Sequence, residues 1–491
     1  MIHRWWSRWW SRWKAHSIAS RGAEWPSPWG DVFGEKTDPL RPTRYVIIGN
    51  GVAGFEAARK IRESDRQAEV IMISRESELH WSRPALMYLY MGELTLEEAT
   101  PYPKRWFAEK RLILLQREVG RVDRAERQLY FTDSSRLSYD LLLVALGSEP
   151  RTLDIPGEEL DGVMGLYDLQ DLAHLEEISD RIGRAVIIGG GLVAVEWAEM
   201  LVHRGVSVEI LMKDPLFAAH LFPQEEAQMI TDYLIQTGIS IQGNVEVQEV
   251  TVDQRANAEL KLALHLRERE ALLVDLVGVA IGVKPAVHRV EGLEELSRDG
   301  LRVDERLQSA DPHVFAAGDC AELITGTAHL KRGRVSGTWY EARQMGRVAG
   351  LSMVRYAHKQ NPAGAMDGFT LDEIYSPIAS EWFNSAKFLD IEHQLYGEVP
   401  SSVEPNTDLL SLYWSDLANR QSIRITYKEG KVVGLCTLGI RLRQSQCERI
   451  IRERYSVDQT LESLDLLRFD EEFDDTLLRA KESLKSQFQA D

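Results

Sequence analysis

The residues best placed to do chemistry are two glycine-rich turns that recur 140 positions apart. Gly49, Gly51 and Gly54 sit in Gly49-Asn50-Gly51-Val52-Ala53-Gly54, directly after the apolar run Tyr45-Val46-Ile47-Ile48. Gly189, Gly191, Leu192 and Ala194 follow Ala185-Val186-Ile187-Ile188 in the same way. In such a turn the first glycine makes the tight bend and the second lets the backbone approach a pyrophosphate. The third position lets helix and strand pack closely, and the phosphates rest at the helix N-terminus. Two turns in one chain indicate two dinucleotides, an arrangement that suits a flavin and a nicotinamide exchanging electrons. Glu76 lies 22 residues beyond Gly54, the interval at which a carboxylate accepts hydrogen bonds from a ribose. After the second turn the matching place is taken by Met212 and then Lys213. A cation there suits the 2′-phosphate of NADPH, so NADH and NADPH both stand as cofactors.

These turns need strands and helices to hold them. Residues 43–60 read as strand, glycine turn and helix, and Glu69–Ser74 as a second strand. Asp140-Leu141-Leu142-Leu143-Val144-Ala145-Leu146-Gly147-Ser148 is apolar without alternation, which suits a parallel strand covered on both faces. Val314-Phe315-Ala316-Ala317-Gly318-Asp319-Cys320 repeats that character. Near the C-terminus, Ser422–Tyr427 and Lys431–Leu435 flank Lys428-Glu429-Gly430 as a hairpin, and the segment after Arg443 reads as helical.

The chain has 491 residues, too many for one core, and no uncharged apolar run long enough to span a bilayer. Its formal charge is −18, which argues against nucleic acid as a partner. Cysteine is scarce: Cys320, Cys436 and Cys447 form no CxxC pair, so neither a disulfide framework nor a cysteine metal site is expected, and a reducing cytoplasmic setting is. None of the 12 histidines stands in a recognisable triad or metal spacing. The front of the chain differs. Trp5, Trp6, Trp9, Trp10 and Trp13 alternate with Arg4, Arg8 and Arg12 at helical spacing, so residues 1–16 read as an amphipathic segment suited to a membrane interface. A disordered extension or targeting presequence is the alternative. The first 23 residues hold five basic groups and no acid, leaving −23 on the remainder.

Taken in order, these motifs resemble the FAD-dependent pyridine-nucleotide reductases, the flavoproteins with two dinucleotide-binding domains that include ferredoxin, rubredoxin and nitrite reductase flavoprotein modules. The likeness runs from about residue 43 to 355, through Gly49, Gly51 and Gly54, Ala145 and Gly147, Gly189 and Gly191, the Gly282-x-x-Pro285 segment and Gly318-Asp319. It implies an α/β fold of two Rossmann-like domains, the NAD(P) domain inserted in the FAD domain, followed by a C-terminal α+β domain. The expected divisions are 1–42 tail and linker, 43–155 and 284–360 FAD-binding, 156–283 NAD(P)-binding, and 365–491 a C-terminal interface domain. The resemblance places Asp319 on the FAD ribityl chain and Arg83 of His80-Trp81-Ser82-Arg83-Pro84 at FAD phosphate. It adds Val52, Ala53, Pro84 and Val119 to the FAD set, and gives Glu196 the nicotinamide carboxamide. Trp339 falls where relatives approach the isoalloxazine; a buried core aromatic is the alternative. The lysine that often follows the Arg-Pro segment in ferredoxin-reductase relatives is replaced by Met87-Tyr88.

Disulfide reductases of this kind need a redox cysteine near the flavin, and none occurs before Cys320, which reads as core packing. The resemblance therefore implies an enzyme passing electrons from NAD(P)H through FAD to an external acceptor, with an iron–sulfur or rubredoxin-like protein as first choice. A membrane quinone is the second, favoured by the Trp/Arg segment but opposed by Trp339-Tyr340, which stand where quinone-reducing relatives carry Ala-Gln. A non-catalytic flavoprotein scaffold or redox sensor is the third. The C-terminal region, longer than in relatives, suits a partner module or a homodimer interface.

Overall fold

The computed structural model describes residues 42–253, 261–324, 337–360, 382–403, 408–470 and 474–490. The Trp/Arg segment lies outside them. Two five-stranded parallel sheets share one plan. In the first, Val314–Ala316, Leu141–Val144, Arg44–Ile48, Glu69–Ser74 and Leu112–Gln116 lie side by side in that order. In the second the order is Ser240–Gln242, Ser207–Leu211, Arg184–Ile188, Leu276–Val279 and Val163–Met164. Each glycine turn leaves the central strand of its sheet. Arg44–Ile48 and Glu69–Ser74 are buried at every position, which explains the apolar runs Tyr45–Ile48 and Val70–Ile73, and the buried charges of Arg44 and Glu69 at their starts pair with each other, Nε to Oε2 at 2.6 Å.

All strands of the second sheet fall between residues 163 and 279, inside the interval separating Leu141–Val144 from Val314–Ala316. The second sheet is thus inserted in the first, the arrangement the resemblance implied. The chain crosses out and back through an antiparallel ribbon, Ser148–Pro150 against Val283–Pro285. Three-stranded antiparallel sheets contribute to both cores: Leu129, Phe131 and Leu137 to the first, Leu262, Leu264 and Val274 to the second.

The helices that matter to the site are α1 (Val52–Ser64), α2 (Leu86–Met91), α3 (Leu192–His203), α4 (Gln224–Gln236) and α5 (Trp339–Gln360). Helix α5 lies directly on α1. A Cβ on Gly346 would fall 2.2 Å from the Ala53 carbonyl oxygen, and one on Gly350 2.7 Å from that of Ala57, so only glycine permits the approach.

The C-terminal region is an antiparallel sheet in the order Phe383–Phe388, Ile391–Gly397, Lys431–Leu438, Gln421–Lys428, Leu410–Asp416. Apolar residues from Gln444–Arg452 to Thr476–Ala490 share a core with it. The hairpin turn is Glu429-Gly430, with φ of 51° and 69°. That two-residue loop lets both strands run longer than their sequence pattern indicated.

Candidate functional site

At the first turn the three glycines play three distinct parts. Gly49 has φ of 110°, and a Cβ there would lie 2.0 Å from the Ala145 carbonyl oxygen at the tip of the next strand. A Cβ on Gly54 would lie 2.0 Å from the Gly49 oxygen. Gly51 meets nothing within 4 Å and caps α1 without any side-chain hydrogen bond to the helix's first amides. Open space in front of uncapped amides is what a pyrophosphate requires. Val52 is half-buried and Ala53 buried against this bend. The turn is held from behind by His80, 7% exposed, whose Nδ1 lies 2.8 Å from the Asn50 carbonyl oxygen. A carbonyl only accepts, so Nδ1 carries the proton, and burial holds the imidazole pKa below its usual value. The ring also stacks on Phe55 at 4.6 Å.

Glu76 and Arg83, expected at ribose and phosphate, are joined to each other. The Arg83 guanidinium donates to Glu76 Oε2 at 2.6 Å and to the Tyr167 carbonyl oxygen. It lies 4.5 Å from the Tyr167 ring centroid. The second Glu76 oxygen accepts the Leu169 amide at 3.2 Å. Pro84 fixes the short helical turn that presents Arg83. A few ångströms on, Ser148 Oγ donates to Asp319 Oδ2 at 2.9 Å and sits 2.9 Å from the Tyr167 hydroxyl. Burial pushes the Asp319 carboxyl up, while Ser148 and Arg83 pull it back. Gly318, with φ of 80°, makes the bend that delivers Asp319 from its strand. Gly147, with φ of 68°, makes the bend after Leu141–Val144 that delivers Ser148. Cys320 is fully buried, its thiol directed at the Val144 carbonyl at 3.3 Å and its pKa pushed up to about 11 by burial. Val119 is 5% exposed and joins the core of the first domain.

The second turn copies the first with one change. Gly189 has φ of 138°, and a Cβ there would lie 2.2 Å from the Ala280 oxygen. Gly191 caps α3 without a side-chain bond, followed by half-buried Leu192. The third place holds Ala194, wholly buried. The His220 ring stands 3.6 Å from where a Cβ on Gly191 would be. Gly282, with φ of 95°, closes the same edge, its carbonyl accepting the Arg151 amide at 3.0 Å. Glu196 is half-buried on α3 and makes no hydrogen bond or ion pair among the described residues. Burial and neighbouring Glu199 push its pKa up to about 7. Both acids act electrostatically on Tyr88 of α2, the residue standing in place of the expected lysine. Lys213 is exposed and makes no hydrogen bond or ion pair among the described residues.

Trp339 opens α5 and is 40% exposed, so it is not the core aromatic of the alternative reading. It meets Tyr340 edge-on at 5.3 Å and lies 5.4 Å beneath Arg343. Among the described residues no three His, Cys, Asp or Glu side chains are grouped to hold a metal ion, and no helix is long and apolar enough to cross a membrane.

Residues 43–346 match the model of the family described as pyridine nucleotide-disulphide oxidoreductase, and the chain belongs to that family. Its cofactors are accordingly FAD and NAD(P)H, and the two glycine turns, whose first helix amides carry no side-chain cap, fit them. Among curated relatives, the chain is 28% identical over 285 residues to the assimilatory nitrate reductase electron transfer subunit of Bacillus subtilis, covering 58% of this chain but only 36% of that one. It is 27% identical over 288 residues to rubredoxin-NAD(+) reductase of Pseudomonas putida, covering 57% of this chain and 74% of that one. Of the solved structures, a ferredoxin reductase from Rhodopseudomonas palustris superimposes with a TM-score of 0.69 at 22% identity, over 81% of this chain and 91% of that one. That last likeness speaks to fold alone.

Proposed function

We propose that this protein is an FAD-dependent NAD(P)H oxidoreductase that hands electrons to a small carrier protein, iron–sulfur or rubredoxin-like, without using cysteine. The observation that carries the reading is the pair of uncapped glycine cradles on two sheets linked by one ribbon, with buried Ser148 and half-buried Asp319 and Tyr167 converging beside the first. FAD, when bound, accepts hydride from the reduced nicotinamide and passes the electrons on. The protein's own task is positional: Gly51 and Gly191 admit the phosphates, Asp319 offers a half-buried acceptor to a sugar hydroxyl, and Glu196 faces the nicotinamide. All three cysteines are buried, which agrees with a route that bypasses thiols.

The choice of acceptor rests on charge. The buried Glu56 carboxylate on α1 accepts from Arg59, Arg343 and Arg347, three cations around one acid. The last two are 41% and 40% exposed, and Arg343 touches Trp339. Arg355 and Lys359 continue the same i, i+4 row along α5. On residues 24–491, which together carry −23, this is a local basic face beside the candidate flavin edge, and it suits an acidic carrier. A quinone is the alternative acceptor, opposed by Trp339 and Tyr340, which stand where quinone-reducing relatives carry Ala-Gln. Anaerobic stopped-flow reduction by NADH and NADPH, then reoxidation by a ferredoxin, a rubredoxin or a quinone, separates these cases. Rapid flavin bleaching with selective reoxidation by a protein carrier is expected. A flavin that neither nucleotide reduces would overturn the enzyme reading and leave the scaffold. Peripheral membrane contact through residues 1–16 and a homodimer through the C-terminal region belong to the same proposal, tested by vesicle flotation and light scattering.

A further inference from the structure

The second glycine turn carries information about which nicotinamide it takes. In a parallel dinucleotide-binding sheet, the residue after the strand next to the turn meets the adenosine ribose, where a carboxylate holds the free diol of NADH and a cation accommodates the 2′-phosphate of NADPH. Here that strand is Ser207–Leu211, paired directly with Arg184–Ile188. Its one acid, Glu209, is unavailable: it is 7% exposed and engaged by Arg184 and Gln242. Met212 follows, 3% exposed, with its sulfur 3.1 Å from where a Cβ on Gly190 would be. An apolar side chain therefore lies along the turn where a diol would need an acceptor.

Beyond it the charge is positive. Lys213 is exposed and has no hydrogen bond or ion pair among the described residues. His220 stands against Gly191 from the other side, but burial lowers its imidazole pKa and leaves it uncharged at neutral pH. Arg269 reaches the same end of the sheet, its guanidinium donating to Gln242, whose carbonyl accepts the Met212 amide at 2.9 Å. Asp214, the next acid, lies one residue beyond Lys213 in a bend whose carbonyl accepts the Asn244 amide at 3.4 Å.

Building on the proposed reductase reading, we infer that this turn selects NADPH over NADH, with Lys213 as the cation that receives the 2′-phosphate, Met212 as the residue that withholds an acceptor from the diol, and Arg269 adding positive potential. A phosphate monoester paired with an ammonium in a partly exposed site is worth about 10- to 100-fold in affinity.

The test uses the FAD-loaded full chain and titrates 2′,5′-ADP and 5′-AMP by calorimetry, so it does not depend on flavin reduction. Binding of 2′,5′-ADP about 10-fold or more tighter than 5′-AMP is expected. That margin should collapse in Lys213→Gln, survive in Lys213→Arg, and invert in the double variant Met212→Asp/Lys213→Gln. Equal binding of the two fragments, or a margin indifferent to Lys213→Gln, overturns the inference and assigns the ribose to Asp214. Flavin bleaching by NADH and NADPH, followed separately, reports on the reductase reading itself: reduction by NADH alone overturns the inference and keeps the reductase.

Discussion

Arg424, from the C-terminal sheet, closes a buried ion pair with Glu226 in the first turn of α4, Nε to Oε1 at 2.8 Å, with Glu226 wholly inaccessible. The pair spans 198 residues and pins the C-terminal region to the domain of the second sheet. Around it Phe388 and Phe222 meet at 5.7 Å, and Arg424 lies 4.5 Å from the Tyr413 ring. The C-terminal sheet is therefore a wall of the second domain's core.

Removing one partner of such a pair strands the other charge in an apolar setting. Arg424→Met should destabilise the C-terminal docking by about 3–5 kcal/mol, read as earlier chemical unfolding and faster cleavage by protease between residues 360 and 410. Replacing both, as Arg424→Met/Glu226→Leu, should recover most of the loss, because the cost lies in the uncompensated charge. A double variant as unstable as the single one would show that the arginine's packing matters more.

Much of this architecture was legible because it is written locally. The runs Val46-Ile47-Ile48 and Val186-Ile187-Ile188, each stopped by glycine, announce buried strands and turns in a few residues. The Glu429-Gly430 hairpin does the same. What could not be read is contact across distance. Glu76 and Arg83 were found separately, but their joining depends on how the Arg83-Pro84-Ala85 turn folds back onto the strand end. Tyr167 gave no signal, since it belongs to the inserted segment and reaches Ser148 only after the ribbon forms. His80 and His220 look like isolated histidines until the turns they brace are built. Trp339 was ambiguous for the same reason: a tryptophan in an apolar-rich helix reads equally as core or surface.

The Ser148–Asp319 bond predicts a graded effect on flavin retention. Asp319→Ala removes a half-buried acceptor and leaves Ser148 and Tyr167 to each other, so the flavin-to-protein ratio after dialysis should fall, with affinity weakened about 10- to 100-fold. Ser148→Ala removes one neutral donor and should cost about 10-fold or less. If both variants keep a full complement of flavin, Asp319 does not touch it.

The basic face predicts a salt-sensitive encounter. Arg343→Gln/Arg347→Gln leaves Arg59 to neutralise Glu56, so the α1–α5 contact survives. The KM for an acidic carrier should rise several-fold at low ionic strength, and the difference from wild type should shrink as salt is added. An effect on kcat with no change in KM or salt slope would place the carrier elsewhere.

Glu196 predicts a pH dependence whose sign follows from its environment. Burial, then Glu199, raise its pKa to about 7, so the carboxyl is protonated below that value and ionised above it. Hydride leaving a reduced nicotinamide makes the ring positive, and an ionised carboxylate nearby stabilises that charge. The rate constant for flavin reduction should therefore rise as pH passes upward through about 7, and Glu196→Gln should flatten the profile. The same shift acts on stability in the opposite sense. The native state holds a proton that the unfolded chain, with an ordinary carboxyl pKa of about 4.3, has already released, so wild-type stability declines between the two values. Glu196→Gln should gain thermal stability relative to wild type across that window and hold a constant margin above it. A rate profile that stays flat in wild type, together with no pH-dependent difference in melting, would mean that Glu196 neither meets the nicotinamide nor carries the raised pKa.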